Sequence, residues 1–319
     1  MSIEILSTGA GVDAAAGAST RRAAARGELL RLRRGDYVET TSWNGASHHD
    51  RHRALVHALM RSQPDDLIVS HASAVALLGL PWIGSFGKRL VVSDPARDRG
   101  QVKATMQRVG TASRVPDTVR IEGMAVTSPV VTAVDVALRE HPWRAIVVLD
   151  AVLRRGVSTE ALLTELEQRG AARARVRARD LIEHADAAAE SPGESITRWG
   201  AHVLGAPVPV LQYGFPNDWG GTERVDLFFP GSGTVVEFDG VAKYTDPRYN
   251  GGRSSQDVVV AEKRREDRLR AQPDVRGFAR VGWSDAMPGG QLPRRLVEAG
   301  VPLSRNWGSA WRAAAVRAL

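Results

Sequence analysis

The chain of 319 residues contains no cysteine, which excludes disulfides and thiolate metal sites and agrees with a reducing cytosol. It also lacks any apolar run approaching the roughly 18 residues that a membrane span needs. The opening segment, MSIEILSTGAGVDAAAGAS, has neither a basic leading region nor a solid apolar stretch, so no signal peptide is expected. A cytoplasmic protein with no membrane partner is the expectation. No fixed period suggests a solenoid, and no aromatic-interleaved platform of the kind that stacks single strands is present. Glycine pairs at 220–221 and 251–252 match neither a phosphate loop nor a dinucleotide fingerprint.

What is present is an ordinary globular composition, 43% hydrophobic and 25% charged, long enough for two or three domains. Lysine and arginine exceed the acids, giving a net charge of +7 and a sequence pI near 10.3. That balance favours a polyanionic partner, nucleic acid before membrane. The excess begins early: STRRAAARGELLRLRRGDYVET, residues 19–40, carries six arginines between Arg21 and Arg34. An Ala/Arg helix ending at Gly27, a strand, a turn at Gly35-Asp36 and a second strand give the outline of a winged helix-turn-helix over residues 1–45. In that reading Arg31, Arg33 and Arg34 contact phosphate. A solvated basic helix and hairpin is the equal alternative.

Residues 46–188 read as mostly helical with a few strands. SHHDRHRALVH lacks the HExxH spacing of a zinc helix and reads as a polar helix entry. Ser128 and Pro129 open a helix as N-cap and first residue. The SPGES stretch marks a domain boundary, followed by a unit over 189–290 and a basic helical tail over 291–319. The fold class expected is α/β in the α+β sense, and the third unit reads as a helix, a strand pair, a Gly-rich loop, a long helix and a further strand.

The sharpest signal is RVDLFFPGSGTVVEFDG, residues 224–240. Two strand-like runs flank Pro-Gly-Ser-Gly, a hairpin signature. Pairing across the loop sets Phe229 against Thr234, Phe228 against Val235 and Leu227 against Val236. Asp226 then opposes Glu237, with Asp239 on the same face. Opposed carboxylates repel, so a cation must stand beside them: a metal ion, a lysine or an arginine. Asp226 and Glu237 suit Mg²⁺ or Mn²⁺, which take hard oxygen ligands. Lys243 follows at four residues from Asp239 and would orient water or stabilise a phosphorane. Glu194 has a local explanation as the third helical residue of a capping box opened by Ser191, and as a helix acid it would also reach a metal. In EKRREDRLR, residues 262–270, Lys263 lies on one helical face and Arg264 and Arg268 on another; they read as phosphate contacts or as an exposed salt-bridged helix.

In order and spacing, Glu194, VDL at 225–227, EFDG at 237–240, KY at 243–244 and EKRREDRLR resemble the PD-(D/E)XK nuclease superfamily, in its very-short-patch-repair branch. The resemblance implies a mixed sheet flanked by helices in the third unit, with the metal-binding Asp on Asp226, the second acid on Glu237 and the helix acid on Glu194. It departs at Asp239, where the superfamily has lysine; Lys243, or more distantly Lys263, would substitute. Upstream, GELLRLRRGDYV and SHASAVALLGLP are similar to the winged-helix and following region of abortive-infection type IV antitoxins. Together these imply a metal-dependent DNA endonuclease, or else a DNA-binding regulator of the antitoxin kind with an inactive nuclease-like domain. DNA, a second copy of the chain and a cognate nucleotidyltransferase-like toxin are the implied partners.

Overall fold

A computed structural model describes residues 3–8, 14–169, 172–217, 219–240 and 255–316. The chain divides into two compact units, one of residues 1–140 with 157–179 and one of 141–156 with 180–319.

The first unit opens with β1 (Leu6–Ser7), α1 (Ala14–Ala25), β2 (Leu29–Arg33) and β3 (Asp36–Glu39), an antiparallel sheet in the order β1-β3-β2. The helix stops as expected at Gly27, whose φ of 79° places it in the left-handed region. Gly27 N–H donates to Ala24 O and Glu28 N–H to Ala23 O, the paired bonds of a Schellman turn. Among the described residues a single helix precedes the hairpin. Two helices follow, α2 (Thr40–Gly45) and α3 (His48–Met60).

Next come β4 (Ile68–Val69), α4 (His71–Leu77), β5 (Leu90–Asp94), β6 (Gln101–Val102), β7 (Met106–Gly110), β8 (Thr118–Ile121), β9 (Met124–Thr127) and α5 (Pro129–Arg139). The strands form one mixed six-stranded sheet in the order β6-β7-β5-β4-β9-β8. Its core gathers Val56, Leu67, Val69, Leu77, Leu90, Val92, Met106 and Val126. The sequence suggests only β4 and β5 plainly, because β6 is two residues long and β7 and β8 carry Gln107, Arg108 and Arg120. Ser128 caps α5 as expected, its hydroxyl accepting from Val131 N–H. The chain passes through α6 (Pro142–Arg154), which belongs to the second unit, and returns for α7 (Thr159–Glu167). The unit boundary then falls inside α8 (Ala172–Glu183), between Arg179 and Asp180.

The second unit continues with α9 (Pro192–Val203), β10 (Val210–Pro216), β11 (Thr222–Phe229), β12 (Thr234–Phe238), α10 (Ser255–Arg270), β13 (Gly277–Val281), α11 (Trp283–Ala286), α12 (Leu292–Glu298) and α13 (Trp307–Val316). Its sheet runs β10-β11-β12-β13, with the first two pairings antiparallel and β12–β13 parallel. This is a mixed, helix-flanked sheet, as the resemblance implies for the fold. Tyr213, Phe215 and Phe228 pack ring to ring on one face, with Val235 and Leu269. Gly193, in the first turn of α9, lets that helix approach the Phe238 ring so closely that a Cβ there would lie 2.1 Å from it. Inside the unit, Arg198 of α9 meets Asp150 of α6 through one guanidinium nitrogen, 2.8 Å from both carboxylate oxygens.

Candidate functional site

Two surfaces contain the residues singled out by the sequence, one in each unit. In the first, β3 supplies the inward side of the hairpin, with Tyr37 and Val38 buried. That leaves the arginines of β2 facing outward. Arg31 and Arg34 are exposed and, among the described residues, neither enters an ion pair. Arg31 instead donates to the Arg33 carbonyl at 3.2 Å, which holds its guanidinium over the turn. Arg33 is otherwise committed: its Nε lies 2.7 Å from Asp36 Oδ2 and its Nη1 donates to Ser62. Arg21 and Arg22 of α1 add exposed charge, whereas Arg26 is paired with Glu28. The hairpin thus offers two uncompensated guanidinium groups near its tip, suited to phosphate oxygens and unable to read sequence by themselves.

The second surface is the acidic hairpin. The register is the one the sequence sets, Leu227 with Val236, Phe228 with Val235 and Phe229 with Thr234. One step further along, Asp226 comes beside Glu237. The backbone ladder does not continue there; Phe238 N–H donates to Asp226 Oδ2 at 2.8 Å, so this carboxylate replaces a main-chain acceptor. Glu237 is buried, 7% exposed. Burial pushes its carboxyl above the ordinary range, Asp226 and Glu262 add to that, and the Arg265 guanidinium opposes them.

The cation demanded by these carboxylates is therefore arginine. Arg265 of α10 places Nη2 2.7 Å from Glu237, with Glu223 at 3.7 Å and Glu262 at 3.4 Å from its other nitrogens. Arg280 of β13 lies 3.1 Å from both Glu262 and Glu266 and 4.0 Å from Asp239. Arg268 pairs with Glu223 at 2.5 Å and stacks over Trp219, 5.3 Å from the ring centre. Lys263 and Arg264 are exposed, with no ion pair among the described residues. Lys243 lies outside the described residues.

Sequence reasoning passed over Arg265, although the signal was there. Leu269 is the one apolar residue of EKRREDRLR and marks the face that turns inward. Glu262, Arg265 and Glu266 share that face at helical spacing.

Glu194 completes half of the expected capping box. Its N–H donates to the Ser191 hydroxyl at 3.2 Å, closing the N-cap, while its Oε2 accepts from Glu190 N–H at 2.9 Å and from Gln212 Nε2 at 2.7 Å. Gln212 sits in β10 with a φ of 51°, left-handed for a non-glycine residue, and its Oε1 accepts from Arg224 at 2.7 Å. Strain of this kind is held in place by its surroundings, here by bonds at both ends of the side-chain amide.

Mg²⁺ does not fit these acids as they stand. Glu194, Asp226 and Glu237 do not bring their oxygens within 4.8 Å of one another as a group, and Glu237 is already neutralised by Arg265. The histidine-rich entry of α3 is not a metal site either. Ser47 and Asp50 cap the helix, and His52, 4% exposed, stacks on Phe86 and lies 3.1 Å from the Ser73 hydroxyl.

Residues 66–184 match the family model described as the AbiEi antitoxin C-terminal domain. Two curated proteins of Mycobacterium tuberculosis, uncharacterized protein MT2308 of strain CDC 1551 / Oshkosh and uncharacterized protein Rv2248 of strain H37Rv, are each 36% identical over 143 residues. The matched stretch is 44% of this chain and spans about half, 51%, of each relative. Among solved structures, the crystal structure of RV2827C protein from Mycobacterium tuberculosis aligns over 65% of this chain and 78% of that one, with 16% identity and a TM-score of 0.34.

Proposed function

We propose that this protein is a DNA-binding regulator of the abortive-infection antitoxin kind. In this reading the hairpin of β2 and β3 holds duplex phosphates through Arg31 and Arg34, and the antitoxin-like region over 66–184 serves a toxin partner. The observation that carries it is an exposed, uncompensated pair of arginines upstream of a segment similar to an antitoxin domain, with α2 and α3 between. The net charge of +7 supports the same partner class. A homodimer would present two such hairpins to a two-fold operator. The reading expects tight binding to the duplex upstream of the protein's own gene and loss of it in Arg31→Glu with Arg34→Glu. Equal affinity for a scrambled duplex counts against a regulator.

A second reading, phosphodiester hydrolysis in the second unit, has one observation behind it. Glu194, Asp226 and Glu237 come from a helix and two adjacent strands around a single mixed sheet, with the strained Gln212 beside Glu194. It requires Arg265 to release Glu237 before any cation enters. Nicking of supercoiled plasmid that needs Mg²⁺ or Mn²⁺ and is abolished by Asp226→Ala would establish it; no cleavage of duplex, single strand or RNA would leave the regulator alone.

A further inference from the structure

We propose that Asp180, His184 and His202 form a binding site for a zinc-class divalent cation, separate from both surfaces described above. Asp180 and His184 stand one helical turn apart where α8 ends, and His202 lies in the last turn of α9. One ligand atom from each residue falls within 4.8 Å of the others, and these three form the one such histidine and carboxylate group among the described residues.

The two separations from Asp180 are those of a coordination shell, and the two imidazoles would have to spread apart to share an ion with it. Asp180 Oδ1 lies 3.1 Å from His184 Nδ1 and 3.5 Å from His202 Nε2. Ligands about 2.0–2.1 Å from a tetrahedral zinc ion stand roughly 3.3 Å apart, between those two values. The imidazole rings lie 3.7 Å apart, centre to centre, tilted by 38°. Two cationic imidazoles at that distance would repel. Neutral imidazole is the form that binds metal.

The turn that carries His184 is fixed from beneath. Arg198 donates to the His184 carbonyl through Nη1 while its Nη2 holds Asp150. Asp150 in turn accepts from Asp186 N–H at 2.8 Å. Both partners of this ion pair are buried, so the backbone on each side of Ala185 is tied to a rigid base. Support of this sort orients the ligands of metal sites. His184 Nδ1 also faces the Asp180 carbonyl at 2.8 Å.

Three protein ligands leave a fourth position open, as in zinc sites that take water or an added ligand. A cavity of about 260 Å³ borders both imidazoles, lined also by Glu183, Arg198, Pro207 and Val208. One carboxylate and two neutral imidazoles leave a bound divalent ion with a single excess positive charge. The open position therefore favours an anionic occupant, hydroxide or a small carboxylate.

The experiment is titration of the EDTA-stripped full chain with Zn²⁺ alone, by calorimetry, alongside a thermal melt of the wild type with Zn²⁺ or Mg²⁺. One ion per chain is expected, with a rise in melting temperature for Zn²⁺ and none for Mg²⁺. His184→Ala and His202→Gln, each checked for an unchanged fold in EDTA, should weaken binding by at least about tenfold. His49→Ala should leave it unchanged. Absence of binding, or retained stoichiometry in the double variant at 184 and 202, would overturn the site. The wild-type melt decides the matter even if a variant fails to fold.

Discussion

At the scale of single residues, the second unit is organised around Glu237 and Arg265. A buried carboxylate beside another acid is unstable without a partner, and α10 supplies it. Removing the guanidinium while leaving the acid strands a charge that water reaches poorly. Arg265→Met is expected to cost about 2 kcal/mol in urea denaturation, below the usual penalty for a fully buried pair because Arg265 is 27% exposed. Glu237→Gln in the same chain should recover part of that loss, since the double variant no longer buries an unpaired charge. Additive losses would mean that the two side chains do not interact. The need for a cation was legible in the sequence; which cation was not. Period-two alternation puts two acids on one face, but only the packing of α10 says whether arginine or metal answers them. Asp180, His184 and His202 were less legible still, because His184 and His202 are 18 positions apart and meet only when the turn after α8 comes against α9.

At the scale of elements, local signals were the most reliable. Gly27, Ser128 with Pro129, Ser191, and the Pro-Gly-Ser-Gly loop each act through bonds within a few residues, and each does in the structure what its chemistry dictates. The six-stranded sheet was hidden for the opposite reason. Its two-residue strands gain their identity from neighbours up to about sixty residues away, so no local alternation marks them. Close approach of α9 to the second sheet rests on one atom's absence, the Cβ of Gly193. Gly193→Ala is therefore expected to shift α9 off the Phe238 ring and cost about 2 kcal/mol, the range for overpacking a filled interior. A denaturation midpoint equal to wild type would show that the ring moves aside freely.

At the scale of the whole molecule, the two units carry different chemistry. The first carries the exposed arginines and most of the region that matches an antitoxin domain; the second encloses its acids in an arginine network and bears the three-residue cation site. Among the described residues no helix is long and apolar enough to cross a membrane. The central claim is that the β2–β3 hairpin holds DNA by its phosphates. The most direct measurement is fluorescence anisotropy of a labelled duplex carrying the sequence upstream of the gene, across a salt series in EDTA. The account predicts a linear fall of log K with log salt concentration, and a slope smaller by about two for Arg31→Glu with Arg34→Glu. Salt-independent binding, or a variant indistinguishable from wild type at every salt concentration, would contradict it.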